Sequence, residues 1–147
     1  MAAVVAVVWL LGQNHLLPFE DLFITPDVSS DQQIFDTTSG KTRVYEGVLP
    51  CADCSGLKLN LTLQPNFTYI LQSDYIGKSP TPVVTSGTWT VFRGAPFDAR
   101  AQIIFLHEPT ARDTWNFLVV GDNELLELDQ GRRKIDAPFN LSLKRIN

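Results

Sequence analysis

The sequence contains few of the residues from which metal centres are built, with two cysteines, two histidines and one methionine, at position 1, among 147 residues. A methionine-rich copper site is therefore excluded. A zinc centre takes four ligands and would have to recruit His15 and His107, because the chain has no second CxxC pair. The only group of neighbouring residues that could bind a metal or carry redox chemistry is Pro50-Cys51-Ala52-Asp53-Cys54.

Positive charge is also scarce. The net charge is -4 and the isoelectric point is about 5.0, and the only basic run is Arg132-Arg133-Lys134. A nucleic-acid partner needs a basic patch or stripe, so this class of function is excluded. The same charge gives no reason to expect electrostatic docking onto anionic lipid. Membrane contact is therefore expected only through an N-terminal anchor.

The chain lacks an apolar run long enough to span a membrane as a helix. Residues Met1 to Gly12 are apolar and uncharged, which is short of the roughly 20 residues of a transmembrane helix but typical of a signal-peptide core. No Lys or Arg precedes the run, and no small-x-small site follows it. The order Leu10-Leu11-Gly12-Gln13 is similar to the acceptor site of bacterial lipoproteins, although Gln13 stands where the lipid-bearing Cys is expected. The alternative is a buried N-terminal strand or helix.

Three segments follow from the composition. Residues 1–13 form an apolar leader or the remnant of an anchor signal, and residues 14–43 are rich in Asp, Ser, Thr, Gln and Pro without a lasting period, which predicts a linker. Residues 44–147 form one domain, since this length suits a single compact unit. With 44% hydrophobic residues, the chain has enough apolar surface for its own core.

Short strands separated by turn residues are predicted throughout this domain. The clearest is Leu57–Leu63, in which four leucines alternate with polar residues. The full set is 44–49, 57–63, 67–73, 85–92, 102–106, 115–120, 124–128 and 139–144, with loops predicted at 78–85 and 95–100. Sequential strands with short connections pair with their neighbours. The sequence therefore predicts an all-β antiparallel up-and-down meander closing into a small barrel, with a sandwich as the alternative.

The CxxC pair, Cys51 and Cys54, has three interpretations. A redox-active pair needs the first Cys at the start of a helix, whereas here Ser-Gly and an alternating strand follow. Two thiolates can instead bind one soft ion, and Cu(I) is the ion that soft sulfur ligands favour. The third interpretation is a structural disulfide in an oxidising compartment, worth about 2 kcal/mol for so short a loop.

No other residues present a catalytic arrangement. His107 beside Glu108 lacks a nucleophile in a recognisable context, and residues 122–129 (DNELLELD) lack the spacing of a calcium loop. We therefore expect a protein that is not an enzyme and that requires no cofactor, with copper(I) as the one candidate ion.

The run from Tyr45 to Leu57 (YEGVLPCADCSGL) resembles the signature of the N-terminal domain of the NlpE family. The similarity continues through Ser86-Gly87-Thr88-Trp89 and residues 125–135 (LLELDQGRRKI) and ends at Phe139–Leu143. It implies a lipocalin-like barrel in the bacterial cell envelope, on the periplasmic side of the outer membrane. It also implies roles in copper tolerance and in signalling envelope stress to a sensor kinase or another periplasmic protein.

Three features depart from the family. The chain stops at Asn147, whereas longer members carry a second domain, and Gln13 replaces the anchor Cys. The turn at Asn66-Phe67 lacks the usual Gly. The first functional hypothesis is a non-enzymatic envelope domain that binds a partner or Cu(I) through Cys51 and Cys54. The second is a carrier of a small apolar ligand, with Trp89, Trp115 and Phe117 lining the cavity. The third is a CxxC redox enzyme, which we do not expect.

Overall fold

The structure is a computed structural model that describes residues 35–110 and 114–147. Each of its strands pairs antiparallel with the next in sequence, and the first pairs with the last, so that the sheet closes into a barrel. This confirms the predicted all-β meander. The eight strands are β1 (Arg43–Leu49), β2 (Gly56–Leu63), β3 (Thr68–Ile76), β4 (Val83–Ala95), β5 (Asp98–His107), β6 (Trp115–Val120), β7 (Glu124–Leu128) and β8 (Ser142–Arg145).

Alternation of side chains across each strand builds the interior. In β2, Leu59, Leu61 and Leu63 are at most 1% exposed, while the residues between them are half-buried or exposed. The same period of two places Tyr45, Tyr69 and Leu143 in this core. The core cluster is filled by large side chains: Phe35, Tyr45, Leu49, Leu59, Leu61, Leu63, Tyr69, Leu71, Trp89, Ile104, Leu106, Phe117, Leu125 and Leu143.

The barrel closes where β1 meets β8, through the pairs Tyr45 with Arg145 and Glu46 with Lys144. Gly47 sits beside this seam, and a Cβ there would lie 2.4 Å from the carbonyl oxygen of Ser142. Only glycine allows the two backbones to approach this closely. The seam therefore depends on the missing side chain at position 47.

Several predicted strand and loop bounds were wrong, and two of them have a clear local cause. β8 begins at Ser142 rather than at Phe139, because Asn140 Oδ1 accepts a hydrogen bond from Ser142 N at 3.2 Å and forms a local turn instead of a ladder. Residues 95–100 do not form a loop, since β4 and β5 make a long hairpin with Pro96 and Phe97 between them. Gly94, with φ of +92°, lies at the register shift in β4 that makes this tight turn possible.

The predicted leader, residues 1–13, and most of the predicted linker, 14–43, lie outside the described residues, and so do Gln13 and His15. At the described end of the linker, Phe35 is 6% exposed and meets the Trp89 ring edge to face at 5.9 Å. The guanidinium of Arg43 lies over the Phe35 ring, 4.1 Å from its centroid. Between residues 35 and 147, the parts that the structure describes contain no helix long and apolar enough to cross a membrane.

Candidate functional site

Cys51 and Cys54 lie in the loop between β1 and β2, at one rim of the barrel. They are joined by a disulfide, with their Cα atoms 5.3 Å apart, and both residues are half-buried. The loop runs from strand to strand without a helical turn. A helix dipole that would lower a thiol pKa, as in redox enzymes, is therefore missing from this site.

Contacts to the β3 end hold the CxxC loop in place. Ser55 N donates a hydrogen bond to Ile76 O, at the end of β3, at 3.0 Å. Cys54 Sγ lies 3.2 Å from the carbonyl oxygen of Gly56, at the start of β2. Asp53, between the two cysteines, forms an ion pair with Lys78 just after β3. The hydrogen bond from Lys78, together with its positive charge, lowers the pKa of Asp53 from its usual range. The loop is thus fixed on one side while the Asp53 side chain stays exposed.

The donor atoms of Cys51, Asp53 and Cys54 lie within 4.8 Å of one another. While the two sulfur atoms are bonded to each other they are not available as thiolate ligands. After reduction they would provide two soft donors three residues apart, which suits Cu(I). The Asp53 carboxylate is a hard donor and is already paired with Lys78, so the fit to Cu(I) depends on the sulfur pair.

The three aromatic residues predicted to line a cavity lie in or against the core. Trp89 and Phe117 belong to the core, at 3% and 0% exposure, and Trp115 is half-buried and packs against the core. Trp115 and Phe117 stack with their ring centroids 5.7 Å apart, and Trp89 Nε1 donates a hydrogen bond to Gln64 O at 3.0 Å. A ligand at Trp89 or Phe117 would have to displace packed side chains, and the carrier hypothesis stays a prediction.

Glu127 is a half-buried carboxylate whose position was not predicted from the sequence. It lies on β7 two residues after Leu125, a core residue, and therefore faces the same interior side, opposite Phe117 in register. Burial raises the pKa of its carboxyl above the usual 4.5. The alternation of Leu125 and Glu127 was the signal that could have placed a carboxylate inside the barrel.

The model of the NlpE N-terminal domain matches residues 45–138 of this chain, which include the CxxC loop and seven of the eight strands. The chain belongs to the NlpE family. The lipoprotein NlpE of Escherichia coli K12 is 38% identical over 102 residues, covering 68% of this chain and 39% of that protein. The resemblance to the NlpE family predicted from the sequence is confirmed.

Two solved structures of similar proteins carry the same fold. The crystal structure of a candidate lipoprotein of Shewanella oneidensis superposes with a TM-score of 0.52 at 31% identity, over 71% of this chain and 87% of that one. The structure of the Cpx pathway activator NlpE of Escherichia coli gives a TM-score of 0.50 at 29% identity, over 67% of this chain and 47% of that one. This NlpE-family chain thus spans well under half the length of the curated relative.

Proposed function

We propose that this NlpE-family barrel is a non-enzymatic domain of a bacterial cell-envelope lipoprotein that takes part in the response to envelope stress and to copper. The CxxC rim is the responsive element, and a protein of the envelope, such as a sensor kinase on the periplasmic side, is the partner. The domain acts by binding rather than by turnover. Its relatives support the envelope role, since one is a lipoprotein and one is an activator of the Cpx pathway.

The observation that carries the proposal is the convergence of two sulfur atoms and a carboxylate in a rim loop on a filled barrel. The loop has two chemical states. In the oxidised state the sulfurs form a disulfide, as in the structure. A dithiol reductant that is itself oxidised to a disulfide converts Cys51 and Cys54 into two thiols, and Cu(I) binding to both then releases their protons.

The filled interior favours partner binding over the carrier alternative. Residues from all eight strands supply side chains to the described interior or pack against it, and its largest members are essentially unexposed. A carrier needs an open apolar cavity of roughly 300 Å³ or more. The part of the surface that reduction of the disulfide would alter is the rim that contains Cys51, Cys54 and the Asp53–Lys78 ion pair.

A reporter experiment tests this proposal in cells. The full chain, exported and lipid-anchored through a leader that carries the acceptor Cys, is expressed in a bacterium with a Cpx-pathway reporter, with and without added copper. We expect the wild type to change the reporter signal in a copper-dependent way and the Cys51→Ser/Cys54→Ser variant to lose that dependence. Ser55→Ala is the matched control, because it alters the same exposed loop and leaves both sulfurs in place.

Equal copper dependence of the wild type and the double-serine variant, at equal protein level, would contradict the assignment of the CxxC rim as the responsive element. A wild-type chain that never changes the reporter signal would contradict the proposed role in envelope stress itself. The Ser55→Ala control must behave as the wild type for either comparison to count.

A further inference from the structure

A groove on the outside of the barrel lies between the β4–β5 hairpin and the turn that follows β7. It has a volume of about 340 Å³, which falls in the range of small-molecule sites. Its location on β4 to β7 differs from that of the CxxC rim between β1 and β2, so it stands independently of the proposed function. Its lining residues are Phe92, Phe105, Thr114, Asn116, Gln130 and Arg132.

The floor of the groove is aromatic. Phe92 and Phe105 meet edge to face with their centroids 5.7 Å apart, and His107 stacks on Phe105 at 6.4 Å. Phe92 remains 45% exposed. Both phenylalanines occupy outward positions, since each alternates with residues that belong to the core or pack against it, Val91 and Ile104. This aromatic pair lies outside the core, with Phe92 exposed and Phe105 half-buried, and is suited to contact a third ring.

One wall of the groove is held by hydrogen bonds. Gln130 Nε2 donates to Thr114 O at 2.7 Å, and Thr114 Oγ1 lies 3.1 Å from Gln130 Oε1. These bonds attach the turn after β7 to the start of β6. Asn116, only 3% exposed, lies between them and donates from Nδ2 to Asp129 O at 3.3 Å. An amide nitrogen carries two protons, and among the described residues the second has no acceptor.

The charge of the groove is positive. Arg132 is exposed, and none of the described residues that line the groove is acidic. The three ion pairs within the described ranges are Glu46–Lys58, Asp53–Lys78 and Glu124–Lys144, and Arg132 takes part in none of them. The neighbouring Lys134 lies over the Phe97 ring at 4.9 Å. Arg132 is therefore the guanidinium available to an anion in this groove.

The backbone of Arg132 is also unusual. Its φ is +58°, in the left-handed region that non-glycine residues adopt at a cost of roughly 1–3 kcal/mol. The adjacent Gly131 has no such positive φ. The turn, closed by Arg132 N donating to Asp129 O at 2.9 Å, thus places a charged side chain, rather than glycine, at the strained position beside the groove.

We propose that this groove binds a small aromatic carboxylate on the outer face of the barrel. Its ring packs against Phe92 and Phe105, and its carboxylate accepts hydrogen bonds from the Arg132 guanidinium and from the second Nδ2 proton of Asn116. An aromatic body is favoured over a neutral polar ligand because the two lining residues of the floor, Phe92 and Phe105, carry no polar group. An anion is favoured over a cation because the one charged side chain among the described lining residues, Arg132, is positive.

The test is a titration of the ¹⁵N-labelled full chain with 3-phenylpropionate, followed by NMR, beside its neutral analogue 3-phenylpropanamide. We expect saturable shifts centred on the Asn116 side-chain amide and on Gln130 and Arg132. The carboxylate should bind at least about tenfold more tightly than the amide, since hydrogen bonds to charged groups are the stronger ones.

Two variants and two controls locate the site. Arg132→Gly removes the guanidinium and suits the positive φ, so the fold should be kept, and affinity for 3-phenylpropionate should fall at least about tenfold. Phe92→Ser should also weaken binding. Arg100→Gln, an exposed arginine outside the groove, and Val84→Ser, at a 62% exposed apolar position, should each leave the affinity within about twofold of the wild type.

The assignment would be overturned by no saturable shifts up to about 10 mM of 3-phenylpropionate, by equal affinity for the carboxylate and the amide, or by equal effects of Arg132→Gly and Arg100→Gln. Shifts centred on residues outside the groove would do so as well.

Discussion

Removal of the disulfide is expected to cost little stability and to leave the barrel folded. The bridge joins residues three positions apart, and the chain-entropy relation for a loop of this length gives about 2 kcal/mol. By comparison, burial of one leucine side chain contributes roughly 1.5–3 kcal/mol. Leu59 and Leu61, each with 0% exposure, therefore outweigh the bridge together, and the core contains many more such side chains.

Urea unfolding of Cys51→Ser/Cys54→Ser, followed by tryptophan fluorescence, measures this cost. With a slope of roughly 2 kcal/mol per molar urea, the midpoint should fall by about 1 M while the slope stays unchanged. Leu61→Ala provides the comparison and should cost about 2–5 kcal/mol. A double-serine variant that loses cooperative unfolding, or loses more stability than Leu61→Ala, would refute the reasoning that the core rather than the bridge holds the barrel.

Three further predictions concern single residues. Gly47→Ala should destabilise the barrel by more than about 2 kcal/mol and raise amide exchange along β8, because its Cβ would lie 2.4 Å from Ser142 O; unchanged exchange would contradict the close approach at the seam. Glu127→Gln should stabilise the fold at neutral pH. Burial raises the pKa of Glu127 above its usual 4.5, so the wild type loses stability as the pH rises above 4.5 and the buried carboxyl must ionise. The difference in stability between the wild type and Glu127→Gln should vanish below about pH 4; a difference independent of pH would contradict this. Phe67→Gly should change the unfolding free energy by less than about 1 kcal/mol, because relief of the positive φ of +63° offsets the lost contact with Trp89; a loss above about 3 kcal/mol in thermal or urea unfolding would contradict the balance.

The strands that face water on one side could be predicted from the sequence. The four leucines of β2 alternate with polar residues, and this pattern determines both the strand and its buried face. The CxxC spacing left three interpretations open, and the disulfide of the structure is one of them, because two cysteines three residues apart can reach each other.

Other features depend on tertiary contacts that no local pattern encodes. β4 continues to Ala95 because β5 pairs with it and because a glycine allows the register shift. Neither contact is visible in the sequence, and residues 95–100 were therefore predicted to be a loop. Phe35 is buried because its ring packs against Trp89 and Arg43. Glu127 is an exception, because its alternation with Leu125 in the predicted strand 124–128 was a local signal that its side chain faces the interior. The outer groove arises from residues far apart in the chain and could not be read from spacing.

The central claim is that reduced Cys51 and Cys54 form the responsive site of this NlpE-family domain. The most direct test is an anaerobic Cu(I) titration of the reduced full chain against a competing Cu(I) chelator, repeated with Cys51→Ser/Cys54→Ser and with Ser55→Ala as control. We expect a tight one-to-one Cu(I) site in the wild type and in Ser55→Ala that is lost in the double-serine variant. Equal Cu(I) affinity of all three proteins would contradict it and leave the CxxC pair as a structural disulfide.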